Sequence, residues 1–186
     1  MKYKFIDKEI KYIGSQLAPH WIYKNFGIIG DAIVSFTGAA DVKLSEMVDI
    51  EDVINQEPIY SESMLHFIAE IFNIPLQEGV LRQRLLVIHA QEAIEKLTGE
   101  KLTREGDDLF YNKRKLSVSI ATNSLNSVLI HFAMNITSKN TPIPTSGLSS
   151  ELHVENIKTL AENILENYDK EIQDINLATC KVRGVT

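Results

Sequence analysis

Residues 106–137, GDDLFYNKRKLSVSIATNSLNSVLIHFAMNIT, constrain the fold more than any other stretch of the chain. Apolar residues recur there at every second position, the period at which the side chains of a strand return to one face. In the middle segment Leu116, Val118 and Ile120 fall on one face, and Lys115, Ser117, Ser119 and Ala121 on the other. The next segment divides into Val128, Ile130, Phe132, Met134 and Ile136 against Ser127, Leu129, His131, Ala133 and Asn135. Strands joined by such tight turns pair antiparallel, because a parallel pair needs a long crossover connection.

Cross-strand partners share a face, so burying both apolar sets together requires directly paired residue numbers to sum to an even value. That predicts a three-residue loop within Asn123-Ser124-Leu125-Asn126 and brings His131 opposite Ser117 or Ser119. The polar face then carries a lysine, two hydroxyls, an imidazole and an amide. Two readings stay open: the solvated face of an antiparallel sheet, or the floor of a site, since serine and alanine let a ligand approach the backbone closely.

The remaining segments supply helices and further strands. Residues 2–14 read as a hairpin turning near Asp7-Lys8-Glu9, 15–26 as a helix capped by Ser15 and closed by Gly27, and DAIVSFTG as a strand. Residues 44–55 read as a short helix with Ser45 as cap, whose acids Glu46, Asp49, Glu51 and Asp52 form either a solvated face or a weak cation site. In SESMLHFIAEIFN the apolar positions 64, 65, 67, 68, 71 and 72 predict an amphipathic helix with His66 and Glu70 on its outer side. VLRQRLLVI, 80–88, alternates like a strand but equally continues into the helix expected over 90–98, ahead of Gly99. A polar, proline-containing loop follows at 138–150, then a helix over 151–170 and a tail with the pattern of a short strand. This mixture, without regular β-α-β alternation, predicts an α+β fold: a mixed, largely antiparallel sheet with helices packed on one face.

Composition narrows the function classes. The 186 residues suit one domain spanning 1–186, with 44% apolar and 24% charged residues. A formal charge of −6 gives no general attraction for phosphate backbones, and the short run Lys113-Arg114-Lys115 is too small to supply one, so no nucleic-acid partner is expected. Cys180 is the one cysteine, which excludes an internal disulfide and a thiolate metal cage, and no metal site is expected. No apolar stretch reaches membrane-spanning length and no signal core opens the chain, so the expectation is a cytoplasmic protein with no membrane partner.

The stretches GSQLAPHWIY, GDAIVSF, SMLHFIAEIF, QRLL, GDDLFYNKRKLSVSIAT, LIHFAMNI and KVRGV together resemble domain-of-unknown-function family 366 over essentially the whole chain. The resemblance implies a fold similar to the catalytic domain of biotin and lipoate protein ligases, itself related to class II aminoacyl-tRNA synthetases. In lipoate ligases a glycine-aspartate strand, a turn and a lysine before a small-residue strand hold the lysine that contacts the acyl carbonyl and α-phosphate. GDDLFYNKRKLSVSIA is similar, so the resemblance implies that role for Lys115. The ligases' arginine- and glycine-rich phosphate loop has no counterpart, since SFTGAADV offers one glycine and no arginine.

Two functions follow as expectations. In a ligase or acyltransferase acting on a small carboxylate, with ATP and Mg as the implied cofactors, Lys115 and His131 are the catalytic candidates. Gln83, Arg84, Ser117, Ser119 and Asn135 are then the substrate-binding ones. The alternative is a binding module for a small metabolite on the same fold. A homo-oligomer is compatible with both.

Overall fold

The computed structural model describes residues 1–185. Its main sheet has the order β1-β2-β3-β8-β7, formed by Lys2–Phe5, Ala32–Val42, Ile59–Phe72, Ser127–Asn135 and Ser117–Asn123. Only β1 and β2 run parallel; the other three pairings are antiparallel. A small antiparallel sheet of β4 (Thr103–Glu105), β5 (Asp108–Tyr111) and β6 (Arg114–Lys115) stands beside the β7 edge. The expected α+β class with a largely antiparallel sheet is the one observed.

Two long helices, α3 (Leu76–Thr98) and α4 (Ile157–Cys180), pack on one face. Helix α3 buries Gly79, Gln83, Leu86, Val87, Ala90 and Ile94, a stripe at helical spacing that meets Phe67, Ile130 and Phe132 from the sheet. On the opposite face lie the N-terminal segment, α1 (Trp21–Phe26), a 3-10 turn at Leu44–Glu46 and α2 (Ile50–Asn55). There Ile6, Tyr12 and Ile22 cover Val34, Phe36 and Ile68. Both faces of the central strands are therefore dry.

That double burial explains why SMLHFIAEIF is strand rather than the expected helix. Along β3 the residues from Met64 to Ile71 are all buried, and a strand covered on both faces reads as a nearly continuous apolar run with no period of two. The strand alternative for 80–88 gives way to the helical one, because α3 runs unbroken to its Gly99 cap at φ 76°. The tail is helical to Cys180 instead of a strand. The first helix spans Trp21–Phe26 after His20, without Ser15 as its cap, and Asp49 rather than Ser45 caps α2 by accepting from Glu51 N.

No hairpin forms over 2–14. After β1 the chain runs on beside β2, with Ile6, Ile10 and Tyr12 amides donating to Ser35, Thr37 and Ala39 carbonyls. Gly38 makes this approach feasible: a Cβ there would stand 1.9 Å from the Ile10 carbonyl oxygen. At the same point the β2–β3 register shifts, between Gly38 and Ala40, as a β-bulge.

Candidate functional site

The β7–β8 register decides which side chains can meet. Ser117 pairs with Met134, Ile120 with His131 and Asn123 with Val128, so paired numbers sum to an odd value and the last pair encloses an even number of residues, 124–127. Residues 124–126 separate the two strands, but the expected even-sum register fails because Ser124 closes a tighter local arrangement with Ser127. Its amide donates to Ser127 O at 2.7 Å, and its hydroxyl accepts from the Ser127 amide at 3.1 Å.

The shift by one residue separates the expected polar face into two. Ser117 and Ser119 face the long helices with Phe132 and Met134, whereas His131 and Asn135 lie on the other side with Val118 and Ile120. The serines occupy the helix side because α3 and β5 come close there. Gln83 Nε2 of α3 donates to Ser119 Oγ at 2.7 Å and to Asp107 Oδ2 at 2.7 Å, while Ser117 Oγ accepts the Leu109 amide at 2.8 Å. Arg84, 41% exposed at its side chain, reaches Asp107 at 3.4 Å on the surface. Gln83, Arg84, Ser117 and Ser119 thus join the edge strand to its surroundings, a signal that strand periodicity alone could not carry.

On the other face His131 is met by a histidine that the sequence reading put on a helix surface. Ile68 of β3 pairs with His131, which makes His66 its diagonal neighbour, and His66 Nδ1 lies 3.1 Å from His131 Nε2. His66 Nε2 lies 3.1 Å from the Gly38 carbonyl oxygen at the bulge. A carbonyl only accepts, so His66 carries its proton on Nε2; His66 Nδ1 then accepts, and His131 Nε2 donates. His131 Nδ1 is left as a bare acceptor, and it has no protein partner among the described residues. It is not one of the fully enclosed, partnerless side-chain atoms among the described residues, which are Ser35 Oγ and His89 Nε2.

Burial holds both imidazoles neutral. It pushes His66 down to about 4 against a small opposing contribution from the Gly38 carbonyl, and it lowers His131 further below the usual range, with His66 beside it adding to the shift. Tyr12, stacked on His131 at 3.8 Å between ring centres and 14° between planes, covers the imidazole from the N-terminal segment. Burial raises the Tyr12 phenol.

Two cavities open over this side of β7 and β8. The first, about 220 Å³, is bounded by Tyr12, His131, Val118, Lys115, the acids of the 42–52 segment, and Asp107 and Asp108. The second, about 110 Å³, lies between Pro58–Ser61, Asn135 and the 138–150 loop, where Pro142 and Ile143 form an apolar wall. Lys115, Asp52, Ile59 and Val118 border both cavities. Lys115 Nζ is 2.8 Å from Asp108 Oδ2, and its carbonyl accepts the Ser146 amide of the loop at 3.0 Å. Burial raises the Asp108 carboxyl, an effect only partly offset by Lys115. Of the expected site residues, the structure therefore brings Lys115, His131 and Asn135 to this surface, with Ser119 at the margin of the first cavity and Ser117 at that of the second, and leaves Gln83 and Arg84 behind the strand.

A family model describing a Domain of unknown function (DUF366) matches residues 1–183. The chain belongs to that family. Among DUF366-like proteins, an uncharacterized protein of Methanocaldococcus jannaschii is 38% identical over 177 residues, 92% of this chain and 79% of that protein. A solved protein of unknown function from Pyrococcus horikoshi superposes with TM-score 0.91 at 36% identity, covering 100% of this chain and 99% of that one. The DUF366 fold also resembles ligases. The biotin protein ligase of Aquifex aeolicus in complex with biotin and ATP gives TM-score 0.61 at 13% identity over 92% of this chain and 70% of the ligase. A putative lipoate protein ligase from T. acidophilum gives 0.63 at 11% identity over 93% and 86%. At such identities the likeness shows the biotin/lipoate ligase fold.

Proposed function

We propose that the protein binds a small carboxylate-bearing metabolite at the junction of the two cavities, with Lys115 as the carboxylate's partner. The observation that carries this reading is that Lys115, held in place by Asp108, borders both cavities while His131, whose Nδ1 has no partner among the described residues, borders one of them. A ligand spanning the junction meets a cation at its acceptor end and an imidazole acceptor at a donor end. Val118, Ile59 and Ile143 supply the apolar walls.

The nucleotide of the ligase-type neighbours does not fit the residues present. Among the described residues Lys115 is the one basic side chain bordering either cavity, and six carboxylates surround the first: Glu46, Asp49, Glu51, Asp52, Asp107 and Asp108. A triphosphate placed there meets repulsion that one paired ammonium does not offset. The segment SFTGAADV, with one glycine and no arginine, lies within strand β2 and forms no phosphate loop. Binding without nucleotide chemistry is therefore the favoured function.

The ligase or acyltransferase reading keeps one specific support, the meeting of two separate compartments at a lysine, as a transfer between two ligands requires. Exchange of label between pyrophosphate and ATP over a panel of carboxylic acids separates the two. The favoured reading predicts no exchange together with calorimetrically detectable binding of at least one acid; exchange, or an acyl-adenylate detected by mass, overturns it.

A further inference from the structure

The first cavity carries more negative charge than Lys115 can balance, and its carboxylates are not equally occupied. Asp107 accepts from Gln83 and stands beside Arg84, Asp108 is paired with Lys115, and Asp49 caps α2. The Asp52 carboxylate has no hydrogen-bond or ion-pair partner among the described residues, and it borders both cavities. It is half-buried, and burial together with the neighbouring Asp49 raises its carboxyl despite the field of Lys115. An unpaired, partly desolvated carboxylate facing a cavity is a group whose charge is completed by a ligand.

A second observation, independent of the acids, points to a donor on that ligand. His131 borders the same cavity at 3% exposure, its Nε2 proton is committed to His66, and its Nδ1 is a bare acceptor. The tautomer is imposed from the Gly38 carbonyl through His66, so Nδ1 cannot turn into a donor while the two rings remain neutral. The Tyr12 ring stacked on His131 borders the cavity as well, presenting a π-face or a hydroxyl to what enters. Among the described residues Lys115 is the one Lys or Arg bordering this cavity, so an anion meets a single ammonium against six carboxylates. A bare metal ion is disfavoured because no group of three or more His, Cys, Asp or Glu among the described residues is arranged to hold one.

We infer that the first cavity recognises a protonated amine or similar N–H-rich cationic head on the ligand, with Asp52 as its charge partner and His131 Nδ1 as the acceptor of its hydrogen bond. This rests on the proposed carboxylate site at Lys115 and refines its substrate class: the ligand is a small zwitterion carrying an acid at one end and an amine at the other. The apolar residues that border the junction, Ile59 and Val118, suit the alkyl span between them.

Calorimetric titration of the full chain with ε-aminocaproate, caproate and n-hexylamine, at low and at physiological salt, tests this. The inference predicts that the amino acid binds at least about tenfold more tightly than caproate, and that Asp52→Asn removes the difference while leaving caproate affinity unchanged. Asp52 receives no side-chain hydrogen bond that the amide would lose, so the folded state is retained and checked by thermal melting. Equal affinity for the two acids, or a preference that survives Asp52→Asn, overturns the inference while the carboxylate site stands. Amine binding that Lys115→Met leaves intact for both ε-aminocaproate and n-hexylamine supports the cationic head and overturns the carboxylate site. Absence of binding by all three probes overturns both. A response to Mg²⁺ alone that abolishes the amine preference identifies the acids as a cation site of another kind and also overturns the inference.

Discussion

His66 Nδ1 lies 3.1 Å from His131 Nε2 at the centre of the sheet, and the Gly38 carbonyl beyond it fixes which nitrogen of each ring carries the proton. Nitrogen-15 NMR of labelled histidine is expected to show both rings neutral at pH 7, each as the Nε2–H tautomer. Neither is expected to titrate between pH 8 and about pH 5. A charged imidazolium in that range, or an Nδ1–H tautomer at His131, contradicts the hydrogen-bond order.

The same two rings make stability depend on pH in a defined direction. Both have folded pKa values below the unfolded value of 6.5, so the unfolded chain binds more protons as the pH falls through 6.5 towards about 4. Stability is full above pH 6.5, declines through that window and levels off once the folded rings also protonate. His66 alone accounts for on the order of 3 kcal/mol. Urea unfolding at a series of pH values checks the slope; a flat profile between pH 7 and pH 5 contradicts it.

Gly38→Ala is expected to destabilise by about 3 kcal/mol or more, because its Cβ would stand 1.9 Å from the Ile10 carbonyl oxygen and the N-terminal segment would have to lift. Displacing that segment also carries Tyr12 away from His131. Loss of the stacking should be visible in the near-ultraviolet circular dichroism along with the lowered urea midpoint.

Gln83→Leu leaves Ser119 Oγ and Asp107 Oδ2 without their donor, at an expected cost of about 1–3 kcal/mol. The residue lies behind β7 rather than in either cavity, so ligand affinity should change by less than about threefold. A large loss of affinity at unchanged stability would return Gln83 to the binding surface.

What the sequence made legible depended on how each segment is covered. Strands β7 and β8 kept their alternation because each has faces of different character, and Lys115, His131 and Asn135 were found from it. Strand β3 loses its alternation to burial on both faces, so His66, the partner that gives His131 its tautomer, reads from sequence as a helix-surface residue. The β7–β8 register turns on whether the last cross-strand pair encloses an odd or an even number of residues, a choice made by Ser124 bonding to Ser127 and therefore invisible to hydrophobic pattern. Helix α3 contains a polar Gln83 in its apolar stripe, which broke the helical period and made 80–88 read equally well as strand. Tyr12 and Asp52 come from segments remote in sequence, and only folding brings them to one cavity.

The most direct test of a carboxylate site at the cavity junction is calorimetric titration of a carboxylic-acid panel into the wild-type protein and Lys115→Met, with melting curves for both. Removing the ammonium is expected to weaken the best acid by at least about tenfold, as for a lost charge-assisted hydrogen bond, and to leave the fold intact. The same acid binding both proteins with equal affinity would contradict the assignment of Lys115.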